Sequence, residues 1–315
     1  MRLLPRPESQ RSQSGQRRLT RDGGQRPIIV GVAGRGGGGH VVDWAAAEAA
    51  SRHRSLRVVH AFTWPMKLSP DGAVLVGGGD FGTWAAAELI VQEAADRARS
   101  VAPDLEVTTQ VVVGAAAPVM LRQTREAELV VLGGPGLDND RRSLDVSVVA
   151  RAACPIAVLR PFRRVAPGPS ATGVVVGMNG SELSHAAIGV AFEAAARRGV
   201  GLTAVHACGP RDCANPRHSF KELTHAASPG RSLDLALTGW RVKFPGVDFV
   251  PRLVHDPPGP ALVAESAGAA LVVVGCRGRG RLGRRLFGSV SQTVLCMAHS
   301  PIMVVRPVGH ATWLR

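Results

Sequence analysis

The chain has 315 residues, of which 45% are apolar and 4% aromatic, and a formal net charge of +14. This length exceeds that of a typical single domain, and the apolar content is sufficient for ordinary hydrophobic cores. Because no apolar run reaches the roughly 18 residues of a membrane helix, the sequence argues against a membrane-spanning protein. Five scattered cysteines argue against a disulfide framework, so we expect a reducing, cytoplasmic compartment.

Residues 1–26 form a polar segment rich in arginine, glutamine, serine and glycine. Such a segment has little to bury, so we predict that it is disordered, and it lacks the apolar stretch of a secretory signal. A basic chain suits nonspecific binding to nucleic acid. However, no nucleic-acid-binding motif is visible and tyrosine is absent, so we do not expect nucleic acid as the main partner.

The rest of the sequence consists of two copies of one repeat. Three pairs of segments share one offset: IIVGVAG (28–34) returns as VVVGMNG (174–180), LRVVHAF (56–62) as LTAVHAC (202–208) and CPIAVLRP (154–161) as SPIMVVRP (300–307). A fourth, AELVVLGGPG (127–136), returns as AALVVVGCRG (269–278) at a slightly shorter offset. Internal repetition at a fixed period indicates repeated structural units. We therefore predict domains at 27–161 and 172–307, a linker at 162–171 and a short tail at 308–315.

Each copy alternates short apolar runs with longer, alanine-rich stretches, beginning at Ile28 in the first copy. In the second copy we predict strands at 173–178, 202–207, 247–254, 271–274 and 302–306, and helices at 181–199, 232–243, 259–268 and 288–298. This alternation predicts parallel βαβ units, that is, a doubly wound α/β domain in each copy. Such sheets bind ligands beyond the carboxyl ends of their strands, where the strand order reverses.

The loop after the fourth strand of the second copy combines glycines with a helix start. Gly275 ends the strand, Gly278 follows three residues later, and Gly288 and Ser289 precede the next helix. Glycine allows close backbone approach, and a helix N-terminus offers unpaired N–H groups, so this combination suits a phosphate. Ser289 either caps the helix or donates its hydroxyl to a phosphate oxygen. In the alternative interpretation, the glycines only turn the chain.

Other motifs do not account for this loop. No GxxxxGK[ST] segment is present, and the two GxGxxG matches, at 34–39 and 278–283, lack the context of a dinucleotide site. Cys208 and Cys213 have a looser spacing than common zinc pairs. Ser184-His185 has no accompanying nucleophile motif. We therefore predict neither a metal site nor catalytic residues.

The spacing Gly275-x2-Gly278-x9-Gly288-Ser289 resembles the ATP motif of the universal stress protein family. The segments VVVGMNGSELSHAA and SVSQTVLCMAHSPIMVVRP extend the resemblance, which covers both copies. It implies a five-stranded parallel sheet of order 3-2-1-4-5 in each copy. It also implies ATP or another adenine nucleotide, with or without Mg²⁺, in the crevice between strands one and four, and a regulatory role in place of a defined reaction.

The resemblance also assigns roles to residues of the second copy. Gly177 would let the nucleotide pass close to strand one, and Ala207 would offer its backbone to the adenine. Asn179 stands where the family commonly has aspartate, which puts base selectivity in doubt. The complete set of predicted nucleotide-binding residues is Gly177, Asn179, Ala207, Gly275, Arg277, Gly278, Arg279, Gly288, Ser289 and Val290.

The first copy departs further from the motif. Ala33 stands at the aspartate position, and counting nine residues onward from Gly136 reaches Val146 where the motif needs glycine. Aligning the copies on Cys154-Pro155 instead places Arg142-Ser143 at the Gly-Ser position. The loop also contains Asp138, Asp140 and Asp145, which repel phosphate. We therefore expect no tight ATP binding by this copy and a structural task, pairing with the second copy.

The sequence thus predicts an ATP-binding stress sensor or regulator that is not an enzyme; slow ATP hydrolysis is left open as an alternative and is not predicted. The rival prediction is a nucleotide-free scaffold of the same fold that binds another protein. Strand edges seek partners, so we expect Ile156–Arg160 and Ile302–Arg306 to meet across an internal pseudo-two-fold. A further homodimer and an unidentified regulatory protein complete the candidate partners.

Overall fold

The structure is a computed structural model that describes residues 25–34, 38–64, 66–68, 74–76, 80–133, 144–160, 172–179, 182–207, 230–276 and 288–306. Within these ranges, no helix has both the length and the apolar composition needed to cross a bilayer. The segments predicted as the N-terminal tail up to Gly24, the linker at 162–171 and the C-terminal tail lie outside them.

The first repeat contains seven strands and four helices in the described ranges. Runs of valine, leucine and isoleucine form its central strands, which are buried on both faces, as is typical of parallel sheets. The short hairpin of β3 and β4 was not predicted. The elements are β1 (Ile28–Gly31), α1 (Gly39–Ser51), β2 (Leu56–Phe62), β3 (Met66–Leu68), β4 (Val74–Val76), α2 (Asp80–Val101), β5 (Val107–Val113), α3 (Ala116–Gln123), β6 (Leu129–Gly133), α4 (Leu144–Val149) and β7 (Ile156–Leu159).

The second repeat follows the predicted order. Helix α7 is shorter than predicted, because Ser266 caps it and Gly268 turns the chain with a φ of +78°. The elements are β8 (Val174–Gly177), α5 (Glu182–Arg198), β9 (Leu202–Ala207), α6 (Gly230–Lys243), β10 (Phe249–Val254), α7 (Pro258–Glu265), β11 (Leu271–Gly275), α8 (Ser289–Met297) and β12 (Ile302–Val305).

The two repeats share one ten-stranded sheet of order β10-β9-β8-β11-β12-β7-β6-β1-β2-β5. Within each repeat this is the order 3-2-1-4-5, which confirms the predicted fold. The repeats join through β7 and β12, which pair antiparallel with Met303 opposite Ala157. The predicted meeting of the two fifth strands is therefore confirmed. The junction relates the repeats by a pseudo-two-fold axis through the sheet.

Helices cover both faces of the sheet and bury two layers of side chains. Helices α1, α2, α5 and α6 contribute to one layer, and α3, α4, α7 and α8 to the other. The first layer is continuous across both repeats and contains the fully buried Phe192, whose ring stacks near those of Trp240 and Phe249. A shared core therefore fixes the two repeats relative to each other.

Helices α1 and α5 occupy equivalent places and end in the same way. His53 and Gly199 are counterparts in the two repeats, and they follow these helices with φ values of +52° and +64°. In both repeats the N–H of the following residue donates to a carbonyl in the last turn of the helix, from Arg54 to Ala49 and from Val200 to Ala195. This left-handed turn is the usual helix end for glycine, but in the first repeat histidine adopts it.

A buried ionic cluster connects the repeats where α1 approaches α5. The junction cluster comprises Glu48, Arg52, Glu128, Arg197 and Arg198. Glu48 is 3% exposed and accepts hydrogen bonds from Arg52 Nε at 2.7 Å and from Arg198 Nη2, in the other repeat, at 2.6 Å. Burial alone would raise the pKa of Glu48, but the guanidiniums of Arg52, Arg198 and Arg197 outweigh it and lower that pKa. The carboxylate is therefore held ionised.

Candidate functional site

The carboxyl ends of three neighbouring strands of the second repeat define a candidate site. Strand β8 lies between β9 and β11, with Gly177 opposite Val205 and Val176 opposite Val273. Asn179, Ala207 and Gly275 consequently follow or end adjacent strands at one edge of the sheet. This edge is the switch point of the doubly wound sheet, where such domains bind ligands.

The ends of the glycine-rich loop are held together at this edge. The N–H of Gly288 donates to the carbonyl of Cys276 at 3.3 Å, and the hydroxyl of Ser291 donates to the carbonyl of Gly275 at 2.7 Å. Ser291 is 3% exposed, so its hydrogen bond is a buried clasp between β11 and α8. Cys276 and Gly288 thus lie side by side. The predicted contacts Arg277, Gly278 and Arg279 lie outside the described residues.

Helix α8 begins directly at this clasp. Gly288 is its N-cap, with extended backbone angles and no side-chain cap, and Ser289 is its first residue. The capping role considered for Ser289 is therefore wrong, because the preceding glycine occupies that position. Ser289 is exposed and Val290 is partly exposed. Their N–H groups belong to the first turn, where the helix itself supplies no acceptors and the dipole favours an anion.

Asn179 is oriented by a serine that the sequence interpretation left without a role. The hydroxyl of Ser184 donates to Asn179 Oδ1 at 2.6 Å and accepts the Asn179 N–H at 3.0 Å. Ser184 lies in the first turn of α5 and is 4% exposed. In the sequence, Asn179 precedes by five positions a serine at the start of a predicted helix. That spacing could have indicated the pair, because serine and asparagine side chains often bond to nearby backbone groups.

His206, beside the predicted adenine contact Ala207, connects two strand ends. Its Nδ1 lies 3.1 Å from the carbonyl of Met178, and in the first repeat Nδ1 of His60 lies 2.9 Å from the carbonyl of Val32. A carbonyl only accepts, so Nδ1 must carry a hydrogen in both rings. Both histidines therefore fix the chain that follows the first strand of their repeat, a role not predicted from the sequence.

The space beside Gly177 is filled by the protein itself. A Cβ at this position would lie 2.8 Å from Leu262 Cδ1 in α7 and 3.5 Å from Val274 Cγ1. Glycine is thus required here for packing of α7 on the sheet. Gly31 in the first repeat is similar, because a Cβ there would lie 3.0 Å from Met120 Cε. The predicted nucleotide contact at Gly177 stays a prediction.

Comparison with known proteins agrees with the fold and the duplicated sequence. The model of the universal stress protein family matches residues 25–160 and again residues 172–306. Universal stress protein Rv2005c of Mycobacterium tuberculosis is 37% identical over 303 residues, covering 90% of this chain and 97% of the relative. The chain belongs to the universal stress protein family.

Further relatives agree with this assignment. Universal stress protein Rv2623 of Mycobacterium tuberculosis is 34% identical over 291 residues, covering 89% of this chain and 96% of that protein. The crystal structure of a universal stress protein from Archaeoglobus fulgidus superposes with a TM-score of 0.64 at 14% identity, covering 89% of this chain and 96% of its own. The structural likeness supports the fold of this universal stress protein.

Aromatic residues line the equivalent edge of the first repeat. Phe62, Trp64 and Trp84 cluster after β2, with the two indoles stacked at 6.3 Å between centroids and Phe62 edge-on to both. Trp84, which lies in α2, packs against Phe62 here. The residues Gly136, Asp138, Asp140, Arg142 and Ser143 lie outside the described ranges, as does the side chain of Asp145.

Metal ligands do not converge in the part of the chain that the structure describes. No group of three or more histidine, cysteine, aspartate or glutamate side chains there could hold an ion. The loop with Cys208 and Cys213 lies outside that part.

Proposed function

We propose that this universal stress protein binds ATP or another adenine nucleotide through its second repeat and acts as a stress-response regulator in the cytoplasm. The observation that carries the proposal is the clasp of Gly288 on Cys276 and Ser291 on Gly275. It presents the N-terminus of α8 beside the end of β11, at the switch point of the sheet. That arrangement suits the phosphates of a nucleotide.

The sequence between Cys276 and Gly288 supports an anionic ligand. It contains five arginines and no acid, and Arg277 and Arg279 are the two nearest to β11. Arginine pairs well with phosphate oxygens because its planar guanidinium donates several hydrogen bonds. The remaining proposed contacts are Gly275, Gly278, Gly288, Ser289 and Val290 for phosphate and ribose, and Asn179 and Ala207 for the base.

The proposal assigns one nucleotide to each chain. In the first repeat, Ala33 stands where the second repeat has Asn179, and the loop after β6 contains Asp138 and Asp140, whereas residues 277–287 contain no acid. A carboxylate near a phosphate would repel it. The first repeat then serves to hold the second through the shared sheet. The proposal includes no catalytic residue, and any ATP hydrolysis would be slow.

Calorimetry and analysis of co-purified ligand test the proposal. The purified protein should release an adenine nucleotide on denaturation, and the emptied protein should bind about one ATP per chain. Gly288→Val should weaken ATP binding tenfold or more, because the extended backbone at 288 tolerates valine but the side chain would obstruct the approach to α8. Gly38→Val is the matched control, since Gly38 is the N-cap of α1 with open space around it.

A nucleotide-free scaffold is the second candidate, and one observation favours it. Asn179 Oδ1, which would accept a hydrogen bond from the base, already accepts one from Ser184, so only its second lone pair remains for the base. Thermal unfolding separates the two candidates. ATP at about 100 times its dissociation constant would stabilise a binding protein by about 2.7 kcal/mol. No co-purified nucleotide, no heat with ATP and an unchanged melting temperature would together contradict the proposal and favour the scaffold.

A further inference from the structure

The ten-stranded sheet has two outer strands, β5 in the first repeat and β10 in the second. Among the described residues, β5 pairs only with β2 and β10 only with β9. Each outer strand therefore has one row of backbone N–H and C=O groups directed away from the sheet. Such a row is a template for pairing with another strand, and natural proteins usually protect it.

The two outer strands can be compared residue by residue because their neighbours are equivalent. Val107 lies opposite Leu56, and Phe249 lies opposite Leu202, which is the counterpart of Leu56 in the second repeat. The same registers make Thr109 the counterpart of Pro251 and Gln110 the counterpart of Arg252. The outer strands thus differ at known, matched positions.

Strand β10 carries two protective residues at its centre. Pro251 has no N–H, and proline is tolerated in a sheet where its nitrogen faces away from the neighbouring strand. The nitrogen of Pro251 must therefore face outward, which removes a donor from the free edge. Arg252, which is paired with Glu265 at 3.0 Å, adds a charge next to it. Although Val250 and Leu253 are exposed beside them, a second strand cannot pair regularly here.

Strand β5 carries no such protection at its centre. Only at its start does a charged group reach the free edge, where the guanidinium of Arg99 in α2 donates at 3.3 Å to the carbonyl of Val107. The sequence of β5, VTTQVVV, has no charge and no proline, and six of its seven residues are β-branched. Thr108, Thr109 and Gln110 are exposed, and Val113 is 52% exposed. By equivalence with Pro251, the N–H of Thr109 faces outward. This edge has the composition of a paired strand and the exposure of an unpaired one.

The strand is also self-complementary. In an antiparallel pair centred on Gln110, Thr109 would lie opposite Val111 of the second strand and Val107 opposite Val113. Such a pair contains only β-branched residues and one amide pair, with no like charges facing each other.

We infer that β5 is an interface for a second copy of this chain, paired antiparallel across a two-fold axis at Gln110. The same mode of joining already connects the repeats inside the chain, where β7 and β12 pair antiparallel. Each copy has one usable edge, because β10 is blocked. The assembly therefore closes as a dimer, with two ten-stranded sheets joined into one, and does not grow into a filament.

Sedimentation velocity on the full chain over a range of concentrations tests the inference. One chain has a mass of 33.0 kDa, and the wild type should sediment with twice that mass. Thr109→Pro and Gln110→Arg each place in β5 the residue that β10 has at the matched position, and each should halve the mass. Thr109→Val keeps the N–H and the β-branched side chain, so this control should remain dimeric.

Each outcome bears on the inference directly. Circular dichroism identifies the variants that keep the native fold, and Gln110→Arg, which alters no backbone group, decides the result if Thr109→Pro does not fold. A wild type that stays monomeric across the concentration range would overturn the inference, and β5 amides that resist hydrogen exchange in that monomer would show that the chain itself covers the edge. A dimer that both substitutions leave intact would also overturn it. The double variant P251T/R252Q should form larger assemblies, and a strict dimer would contradict the blocking of β10.

Discussion

The guanidinium of Arg160 donates a hydrogen bond of 2.6 Å to the backbone carbonyl of Leu295 in the other repeat. Arg306, its counterpart in the second repeat, donates at 2.9 Å to the carbonyl of Val149, which is the counterpart of Leu295. The two contacts are related by the pseudo-two-fold axis and lie on either side of the β7–β12 junction. Each arginine follows its strand and reaches the last helix of the opposite repeat.

Replacing Arg160 with methionine should therefore weaken the junction. The substitution keeps most of the aliphatic stem but removes a charged donor from a partly buried carbonyl, which typically costs about 1.5–3 kcal/mol. Urea unfolding would measure the loss, and hydrogen exchange should show faster exchange at β7 and β12 than in the wild type. Arg306→Met should have a similar effect by symmetry. Unchanged stability in both variants would contradict a role for these bonds at the junction.

Replacing Glu48 with glutamine should destabilise the protein more than a typical surface change. The substitution leaves Arg52 and Arg198 without their shared carboxylate in a buried place, and breaking a buried pair costs about 3–5 kcal/mol. Glu126→Gln is the control, because Glu126 pairs with Arg57 at 3.0 Å while 66% of its side chain is exposed. Chemical unfolding at neutral pH should show a clear loss for the first variant and little change for the control.

The effect of Glu48 should depend on pH with a definite sign. The folded protein holds the pKa of Glu48 below its ordinary value, so this carboxylate stabilises the fold above the unfolded pKa. That contribution decreases as the pH falls through the folded pKa. The stability difference between the wild type and Glu48→Gln should consequently be largest near neutral pH and shrink in acid. A difference that grows in acid would contradict the assignment.

The left-handed turn after α1 predicts a stabilising substitution. His53 has a φ of +52°, whereas glycine occupies the equivalent turn after α5. A residue with a Cβ in the left-handed region destabilises the fold by about 1–2 kcal/mol. Glycine removes this strain, but its greater conformational freedom in the unfolded chain offsets part of the gain. His53→Gly should raise the melting temperature slightly, and Gly199→His should lower it. Opposite shifts in the two matched variants are the expected result.

Gly177 allows a test that separates packing from ligand binding. In Gly177→Ala the new Cβ would lie 2.8 Å from Leu262 Cδ1 within the core, and such overpacking costs about 1–3 kcal/mol. Gly31→Ala should cost less, because its nearest contacts, Leu132 Cδ2 and the flexible end of Met120, both lie at 3.0 Å instead of 2.8 Å. Unfolding without nucleotide measures both values. A Leu262→Val substitution that restores stability only to Gly177→Ala would identify the contact.

Local sequence patterns predicted most of the fold because the central strands are compact apolar runs and the same structural unit occurs twice in the chain. The strand at Leu202–Ala207 matches the prediction at both ends, and the order of strands followed from the family resemblance. The β3–β4 hairpin was missed because MKL and VLV are too short to show a period. The start of α8 was placed near Gly288, but only backbone angles distinguish the cap from the first helical residue.

The contacts that organise the site and the junction were not predictable in the same way. Glu48 and Arg198 lie far apart in the sequence and meet only because β7 and β12 join the sheets. Ser291 reaches Gly275 across a loop whose length hides their proximity. Single residues of ordinary type, separated by a long stretch of chain, carry no local signal, and the tertiary fold alone brings them together.

The junction cluster is asymmetric, which is possible because both repeats belong to one polypeptide and can differ in sequence. Arg52 and Arg198 are counterparts in the two repeats, but the counterpart of Glu48 is Ala194. Were two identical single-domain subunits to meet about this axis, the centre would contain either two facing carboxylates or none. A single polypeptide escapes that constraint, because one glutamate can serve an arginine from each half. The sequence difference between Glu48 and Ala194 therefore places one carboxylate between the two repeats, where it pairs with both arginines.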